Sequence, residues 1–432
     1  MTDALSLRMV AAALPDEPAI ITETQTLTFA QCAAMVRDRA QATTQGFSAT
    51  EVVVATPSIE TIVACYAALE ARRPIALVHP RTPAAELERQ RAQIAAASVP
   101  HDAAVILFTS GSTGAARGVV LSREALIAAA VASAAHLGWR EDDRWLLCLP
   151  LAHAGGLSIV VRCLAARRPI VFHDAEFDPR KVAALATHAR ATLASLVPTQ
   201  LTALLEQDPD HRSAFRAVLI GGAAASPALV EAAIARGLPV LRSYGLTESF
   251  GQVATARTSD TMPVPLPGVV VAGGTRADPG VIRIAGPMLA TRYLDGAAIA
   301  PELTTADLGY VDHDGVHVVG RADDVIISGG ENVHPAQVEA VLAATPGVLA
   351  ACAFGVPDAR WGQVVAVALA IDDAFDPDIA RTRWSAALPP HARPRHVALT
   401  DALPLLPSGK IDRRAATHLG PTTAIHYERT SG

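Results

Sequence analysis

Residues 104–119 read AVILFTSGSTGAARGV. The first four are apolar and predict a buried strand, because a short apolar run ending at turn residues is typical of a central strand. Hydroxyls and glycines then alternate, so side-chain donors and backbone amides can surround one anionic ligand, for which phosphate is the natural candidate. The spacing is not that of a Walker A loop, and a flexible polar turn is the alternative. The predicted phosphate ligands are Thr109, Ser110, Gly111, Ser112, Thr113, Gly114 and the cationic Arg117.

The composition is that of a globular protein. The chain has 432 residues, enough for two or three domains. Half of the residues are hydrophobic and 18% are charged, which excludes a disordered or collagen-like chain. The formal net charge is −6 and no dense block of lysine and arginine occurs, so we expect no nucleic-acid partner. A small molecule is the expected ligand.

The sequence predicts neither a membrane span nor a secretory signal. No stretch approaches the roughly 18 uninterrupted apolar residues that a span requires. The first residues, MTDALSLRMVAA, include an early acid and lack a long apolar segment, which favours a cytoplasmic protein. The cysteines are widely separated, without a CxxC pattern, and this predicts reduced core residues rather than disulfides or a zinc site. They are Cys32, Cys65, Cys148, Cys163 and Cys352.

Strand candidates alternate with alanine-rich helical segments along most of the chain. The clearest strands are residues 52–55, 75–78, 105–109 and 218–220, and residues 125–135 are typical of a helix. This alternation predicts α/β layers. No internal repeat is visible at a period of 20 to 50 residues, which argues against solenoids and propellers.

The amino-acid composition of the sequence changes near residue 320. Between Asp307 and Gly330, glycine and aspartate become dense, which is typical of turns and hinges. We therefore predict a domain of residues 1–319 and a smaller mixed domain of residues 320–432. The elements predicted in the smaller domain are a helix, two strands and a helix, at residues 335–344, 350–356, 364–370 and 381–388.

Several further stretches, together with the phosphate loop, resemble the adenylate-forming enzymes in sequence and in order. This family includes acyl-CoA synthetases, adenylation domains of peptide synthetases and luciferases. The resemblance implies a large N-terminal α/β domain and a small mobile C-terminal α+β domain, with the active site between them. The matching segments are TSGSTGAARG, YGLTE at 244–248, TTADLGYVD at 304–312, GRADDVIISGGENVHPAQVE at 320–339 and PLLPSGKIDR at 404–413.

The resemblance implies a binding site for ATP. Asp307 is implied to accept hydrogen bonds from the two ribose hydroxyls, with Arg321 assisting, and Tyr244 to stack on the adenine. Taken alone, Asp307 is as well explained as the cap of a turn. Further implied nucleotide contacts, which taken alone resemble ordinary turn residues, are Gly221, Gly222, Ala223 and Gly245.

Three residues are implied to act on the reacting phosphate. Thr247 holds an α-phosphate oxygen, and Glu248 ligates Mg²⁺, which prefers carboxylate and phosphate oxygens. Lys410 follows the turn Pro-Ser-Gly and is implied to bridge the substrate carboxylate and the α-phosphate, stabilising the charge that develops there. Outside this motif context, a glutamate or a lysine at these positions would be interpreted as a solvated side chain.

The resemblance also implies a moving small domain. Asp323 matches the hinge, where a change of backbone dihedrals rotates the domain between two half-reactions. A solvated loop acid is the alternative for Asp323. Gly329, Gly330 and Glu331 match the loop that lines the path of the thiol, for which coenzyme A is expected.

The acyl substrate is implied to lie near residues 149–162, LPLAHAGGLSIVVR. His153 matches a position that shields or opens the path to the carboxylate, and a hydrogen-bonded core histidine is the alternative. Arg162 is either a ligand in the acyl region or a residue that only flanks the helix end. Within the family, this stretch and the small size resemble the CoA ligases for 2-succinylbenzoate in menaquinone synthesis, although those ligases often have a hydroxyl residue where Gly251 stands.

The expected reaction joins a carboxylic acid to coenzyme A at the expense of ATP, with Mg²⁺. The alternatives are a CoA ligase or carrier-protein-loading enzyme for another aryl or acyl acid, and a nucleotide-binding relative without catalytic activity. The second alternative arises because Arg117 replaces the lysine that usually ends the family's phosphate loop, and a planar guanidinium differs from a mobile ammonium. A homodimer remains an open expectation.

Overall fold

The computed structural model describes residues 3–42, 50–109, 116–207, 214–406 and 408–420. Within these ranges the α-helices are α1 (Leu7–Ala13), α2 (Phe29–Ala42), α3 (Ile59–Ala71), α4 (Ala84–Ala96), α5 (Arg123–Leu137), α6 (Ala154–Ala166), α7 (Pro179–His188), α8 (Pro198–Gln207), α9 (Pro227–Ala235), α10 (Pro335–Ala343), α11 (Pro377–Ala387) and α12 (Arg413–Ala416).

The strands in the same ranges are β1 (Pro18–Ile21), β2 (Thr26–Thr28), β3 (Glu51–Val54), β4 (Ile75–Val78), β5 (Ala103–Thr109), β6 (Arg117–Ser122), β7 (Trp145–Leu147), β8 (Ile170–Phe172), β9 (Leu193–Leu196), β10 (Ala217–Ile220), β11 (Val240–Leu246), β12 (Gly251–Thr255), β13 (Val264–Pro265), β14 (Val270–Ala272), β15 (Gly280–Ala285), β16 (Arg292–Tyr293), β17 (Glu302–Val311), β18 (Val316–Arg321), β19 (Ile326–Ser328), β20 (Glu331–Val333), β21 (Val348–Asp358), β22 (Gly362–Ile371) and β23 (His396–Thr400).

Two large sheets carry the site region of the N-terminal part. One has nine strands in the order β13-β12-β11-β10-β9-β7-β8-β1-β2, and the other has five in the order β16-β6-β5-β4-β3. Side chains from both sheets and from α3, α5 and α6 share one hydrophobic core, in which Trp145 is fully buried. The strands β7 to β11 pair in parallel, so the loops that follow them lie at one edge.

The sequence explains these elements locally. Every residue of β4 is buried, as expected for an uninterrupted apolar run between two layers. The strand predicted at 75–78 is therefore confirmed. The helix predicted at 125–135 is confirmed within α5, which begins after Ser122, whose hydroxyl accepts a hydrogen bond from the amide of Ala125 and caps the helix.

A third sheet, β14-β15-β17-β18, joins the large sheets to the C-terminal part. The last sheet has the order β20-β19-β22-β21, with β23 beside β22, and its core includes the buried Trp384. The structure is thus a large N-terminal α/β domain with a small C-terminal α+β domain, as predicted. The strand β18 spans the predicted boundary at residue 320, so the position of that boundary remains a prediction.

Two further properties concern the described residues alone. None of their helices combines the length and the apolar character needed to cross a membrane. The five cysteines are free thiols, of which four are buried and Cys148 is partly exposed.

Candidate active site

The phosphate loop connects β5 to β6. Thr109 ends β5 and Arg117 begins β6, and the hydroxyl of Thr109 donates a hydrogen bond of 3.3 Å to the carbonyl oxygen of Arg117. The two ends of the loop are therefore held together. The predicted phosphate ligands between them, Ser110, Gly111, Ser112, Thr113 and Gly114, lie outside the described residues.

Arg117 lies against an aromatic ring. Its guanidinium carbon is 3.5 Å from the ring centre of Tyr293, and its Nε donates a 3.0 Å hydrogen bond to Asp295. The hydroxyl of Tyr293 donates a 3.2 Å hydrogen bond to Oε1 of Glu248. Burial, together with Glu248, raises the pKa of Tyr293 to about 12. Tyr293 therefore remains a donor at neutral pH and connects Arg117 to the predicted magnesium ligand.

Glu248 lies on a 3₁₀ turn, Thr247–Ser249, between the antiparallel strands β11 and β12. The hydroxyl of Ser249 donates to the carbonyl oxygen of Gly251 at 3.0 Å and stabilises this turn. A Cβ on Gly245 would lie 1.6 Å from that same carbonyl oxygen, so no side chain fits there. The sequence YGLTE thus builds a tight corner that presents Thr247 and Glu248 together.

Tyr244 and Asp307 meet at the predicted ribose site. The Tyr244 hydroxyl donates a 2.7 Å hydrogen bond to Oδ2 of Asp307, and burial raises the pKa of Tyr244 well above its usual range. Nη1 of Arg321 lies 3.9 Å from Oδ1 of Asp307, because the two residues face each other across β17 and β18. The pairing of β17 with β18 therefore brings Asp307 and Arg321 together, and Tyr244 reaches them from a strand of the nine-stranded sheet.

Arg321 also reaches the predicted hinge. Its Nε and Nη2 each donate a 2.8 Å hydrogen bond to the carboxylate of Asp323, which lies on a 3₁₀ turn over Ala322–Asp324. This bidentate contact raises the pKa of Arg321. Asp323, the predicted hinge residue, and Asp307, the predicted ribose ligand, therefore both contact the guanidinium of Arg321.

Lys410 enters the site from the C-terminal domain. The amide of Leu406 donates to the carbonyl oxygen of Lys410 at 2.7 Å, and Gly409 has a φ of +80°, so the chain turns tightly between Leu406 and Lys410. Burial lowers the pKa of Lys410, Arg321 adds to this effect, and Asp307 opposes it. The ammonium therefore lies within electrostatic reach of both ribose-site residues.

The predicted adenine segment follows β10. A Cβ on Gly221 would lie 2.8 Å from the carbonyl oxygen of Ser243, so the segment packs tightly against the neighbouring strand β11. Gly222 has a φ of +79°, and a Cβ there would lie 3.3 Å from Cε of Lys410. Gly222 therefore borders the lysine, and Gly221 precedes it at the end of this tightly packed segment.

His153 precedes α6 and stacks on a second histidine. The rings of His79 and His153 have their centres 5.4 Å apart with an interplanar angle of 27°. Burial, with His79 and Lys410 nearby, lowers the pKa of His153 to about 4. Nε2 of His153 is buried without a hydrogen-bond partner in the part of the chain that the structure describes. His153 is thus a neutral ring with an unused nitrogen beside Lys410.

Arg162 lies inside α6 and is only 4% exposed, so it does not flank the helix end. Its guanidinium carbon lies 5.4 Å from the ring centre of Trp145. Its Nε has no hydrogen-bond partner among the described residues, and burial lowers the pKa of Arg162 to about 10. A Cβ on Gly251 would lie 3.5 Å from Nη2 of Arg162 and 3.8 Å from Oγ of Ser158. Arg162 and Gly251 therefore adjoin each other.

The predicted thiol loop forms a hairpin turn between β19 and β20. Gly329 and Gly330 have φ of +63° and +87°, between paired residues Ser328 and Glu331 of β19 and β20. The amide of Gly329 donates a 2.9 Å hydrogen bond to the carbonyl oxygen of Trp361 in the same domain. The loop is thus built as a two-glycine turn within the small domain.

Tyr293 and His79 are site residues that the sequence analysis did not identify. Tyr293 lies in a two-residue strand, and no motif links it to Glu248. His79 directly follows the buried strand β4, at the carboxyl end of that strand in the five-stranded sheet. A polar residue at the carboxyl end of a parallel strand was the only signal that the sequence offered for His79.

Comparison with known proteins gives a consistent result. The sequence model of the AMP-binding enzymes matches residues 90–294, and that of the AMP-binding enzyme C-terminal domain matches residues 337–410. A 2-succinylbenzoate–CoA ligase of Bacillus licheniformis is 34% identical over 331 residues, covering 72% of this chain and 69% of the relative. A ligase of the same name from Listeria monocytogenes is 33% identical over 322 residues, with the same coverage.

Solved structures agree over almost the whole chain. An o-succinylbenzoate CoA synthetase of Bacillus subtilis, in complex with its acyl-adenylate intermediate, superposes with a TM-score of 0.85 at 26% identity and covers 99% of both chains. The same synthetase with ATP and magnesium has a TM-score of 0.85 at 27% identity, covering 95% of this chain and 98% of that one. The resemblance inferred from the sequence motifs is confirmed, and the chain belongs to the AMP-binding enzyme family.

Proposed function

We propose that the chain is an ATP-dependent acid–thiol ligase that converts 2-succinylbenzoate into its CoA thioester through an acyl-adenylate, in menaquinone biosynthesis. The names of the similar ligases and of the synthetase support this acid. The observation that carries it in this chain is Arg162, a buried cation beside Gly251 whose Nε has no partner among the described residues. A buried charge is unfavourable unless it is paired, and the second carboxylate of a dicarboxylic acid would pair with Arg162.

In the first step, an oxygen of the substrate carboxylate attacks the α-phosphorus of ATP. A phosphorus–oxygen bond forms, and the bond to the bridging oxygen breaks, so that pyrophosphate leaves with the electron pair. Lys410 is positioned to stabilise the charge on the carboxylate and the α-phosphate, and the hydroxyl of Thr247 to bind an α-phosphate oxygen. The position of Lys410 beside Gly222 and within reach of Asp307 supports this role.

The nucleotide would be held by residues that already contact one another. Asp307, bonded to Tyr244 and near Arg321, would accept hydrogen bonds from the ribose hydroxyls. Tyr244 would also contact the adenine. Arg117 would face the phosphates from the end of its loop, where Tyr293 and Asp295 fix the guanidinium plane. Fixing these groups before ATP binds reduces the entropy that binding must overcome.

Magnesium fits the donor set of this site. The carboxylate of Glu248 is oriented through Oε1 by Tyr293, and a carboxylate with phosphate oxygens is the set that Mg²⁺ prefers. Glu248 would hold the ion, which when bound neutralises part of the phosphate charge. The hydrogen bond from Tyr293 would thus orient the carboxylate that holds the ion.

In the second step, the sulfur of coenzyme A, having lost its proton to solvent, attacks the acyl carbon, and AMP leaves. Rotation about Asp323 would bring the turn at Gly329, Gly330 and Glu331 to the path of the thiol. His153, neutral and with an unused nitrogen, would border the acyl carboxylate and open or close that path. The turn at 329–331 belongs to the small domain and His153 to the large one, which is consistent with these roles.

The test supplies the purified protein with ATP, Mg²⁺ and one acid at a time, and measures pyrophosphate release and thioester formation by mass spectrometry. We expect both products with 2-succinylbenzoate and coenzyme A, and neither with benzoate or a fatty acid. A carrier protein bearing a phosphopantetheine thiol is supplied in parallel. Equal activity with monocarboxylic acids overturns the substrate, transfer only to the carrier overturns coenzyme A, and no release with any acid supports the non-catalytic alternative.

The proposed substrates bear on the cellular location of the enzyme. ATP and coenzyme A are the proposed co-substrates, and this supports a cytoplasmic location and a small-molecule ligand. A homodimer is proposed as the assembly, and light scattering coupled to size-exclusion chromatography tests it.

A further inference from the structure

The turn that carries Lys410 is bonded to the N-terminal domain through a side chain. Thr199 and Gly409 are 210 residues apart in sequence, and the hydroxyl of Thr199 donates a 2.7 Å hydrogen bond to the carbonyl oxygen of Gly409. Thr199 lies in the first turn of α8, directly after the buried strand β9. One partner therefore belongs to a rigid element of the large domain, and the other to the small domain.

The accepting carbonyl belongs to the peptide that joins Gly409 to Lys410. Because a peptide unit is planar, fixing its carbonyl also fixes the direction in which the Lys410 backbone begins. The turn itself is closed by a 2.9 Å hydrogen bond from the amide of Gly409 to the carbonyl oxygen of Leu406. The hydrogen bond from Thr199 thus sets where the whole turn points.

Val197 and Gly222 lie beside the same turn. A Cβ on Gly409 would lie 3.3 Å from Cγ2 of Val197, and a Cβ on Gly222 would lie 3.3 Å from Cε of Lys410 and 3.5 Å from Cγ1 of Val197. The lysine stem therefore lies beside Gly222, and Val197 lies beside both Gly222 and Gly409. Among these contacts, the hydrogen bond from Thr199 is the directional one, since van der Waals contacts permit sliding.

We propose that Thr199 is a positioning residue that holds the Lys410 turn in place for adenylate formation. This inference rests on the proposed function, in which Lys410 acts in the first half-reaction and the small domain then rotates. Rotation separates Gly409 from α8, so the hydrogen bond exists in the adenylating arrangement and is absent in the thioester-forming one. Thr199 therefore favours the first arrangement over the second.

The test compares T199V with wild type in the two half-reactions of the full chain. Valine keeps the shape of threonine and removes the donor. We expect kcat for pyrophosphate formation from 2-succinylbenzoate and MgATP to fall about five- to tenfold, the scale of one neutral hydrogen bond. Thioester formation from supplied acyl-adenylate and coenzyme A should be unchanged or faster. The ratio of the two rates, taken on one preparation, is insensitive to loss of folded protein.

Two control variants sharpen this measurement. T199S keeps the hydroxyl and should restore the wild-type ratio. T202V removes a hydroxyl of the same helix that, among the described residues, bonds within the helix to the carbonyl oxygen of Pro198 at 3.1 Å, and it should leave both rates unchanged. An unchanged ratio in T199V, or the same change in T202V, overturns the inference.

The variant K410A separates this inference from the proposed function. If K410A loses adenylation by about 10²- to 10³-fold while T199V is normal, the role of Lys410 stands and that of Thr199 fails. If K410A loses both half-reactions equally or neither, the role of Lys410 itself is overturned, and the inference fails with it.

Discussion

The hydroxyl of Tyr244 donates a 2.7 Å hydrogen bond to Asp307, which lies 63 residues further along the chain. Arg321 approaches the other carboxylate oxygen at 3.9 Å. The carboxylate proposed to bind the ribose is therefore oriented from two sides by elements of two different sheets. A group fixed during folding loses little freedom when ligand binds, so this arrangement favours nucleotide affinity.

The first prediction concerns this hydrogen bond. Y244F keeps the aromatic ring and frees Asp307, and we expect the KM for ATP to rise about tenfold, the lower end for a hydrogen bond to a charged group. The rate at saturating ATP should change less. Y310F is the matched control, because Tyr310 lies on the same strand as Asp307 and its hydroxyl accepts a long 3.4 Å bond from the exposed Arg276, its one side-chain bond within the described part of the chain. An unchanged KM in Y244F would contradict the orienting role.

The second prediction concerns Tyr293. Y293F keeps the ring under the Arg117 guanidinium but removes the donor to Glu248, so we expect the Mg²⁺ concentration for half-maximal activity to rise about threefold to tenfold. Y293L removes both contacts and should also weaken ATP binding. Titration of Mg²⁺ at fixed total ATP measures the effect. If Y293F and wild type respond to Mg²⁺ identically, Tyr293 does not orient Glu248.

The third prediction concerns Arg162. R162A should raise the KM for 2-succinylbenzoate by an amount equivalent to about 1.5 to 3 kcal/mol, with little change in kcat, because the contact is remote from the reacting carboxylate. R162M should unfold at the same or a higher temperature than wild type without substrate, since it replaces a buried cation, which has no ion pair within the described residues, with an apolar chain. R167A, at the exposed end of the same helix, is the control. A lower melting temperature in R162M, or an unchanged KM in R162A, contradicts this interpretation.

The fourth prediction concerns pH. Burial lowers the pKa of His79 and of His153 to about 4, from an ordinary value of 6.5. Between these values the unfolded chain binds more protons than the folded one, so both groups make the free energy of unfolding fall as the pH falls from about 6.5 to about 4. Above that window they contribute no pH dependence.

Urea denaturation at several pH values measures this slope. H79Q removes one of the two groups and should reduce the loss of stability between neutral pH and pH 5, relative to wild type. H418Q, at an exposed position, should leave the slope as it is. A slope that is identical in H79Q and wild type would show that His79 is not held neutral by the fold.

Local sequence predicted the elements whose pattern is local. The apolar run of β4 and the alanine-rich helix α5 need no distant partner to be identified, and the turn around Gly409 follows from the Pro-Ser-Gly sequence before Lys410. The resemblance of the motifs to the adenylate-forming enzymes predicted which segments meet in one site. Tyr244, Asp307, Arg321 and Lys410 do lie near one another in the structure.

The side-chain contacts inside the site could not be predicted from local sequence. The bond from Tyr244 to Asp307 depends on how the β11–β12 corner packs on β17, which no local pattern encodes. The stacking of His79 on His153 joins two loops that are separate in sequence. The bond from Thr199 to Gly409 depends on the relative placement of the two domains. Such contacts are set by tertiary packing.

Arg321 has a consequence for the order of events in the cycle. It contacts Asp307 at the proposed ribose site and Asp323 at the proposed hinge, so a bound nucleotide and a backbone rotation would both act on one guanidinium. Two equilibria that share a group are thermodynamically linked, and the link is reciprocal. If rotation weakens the hold on AMP by some factor, bound AMP must oppose rotation by the same factor. Under the proposed roles, release of the spent nucleotide is then coupled to rotation of the small domain out of the adenylating arrangement, and a change confined to the hinge would alter the affinity of a nucleotide that it never touches.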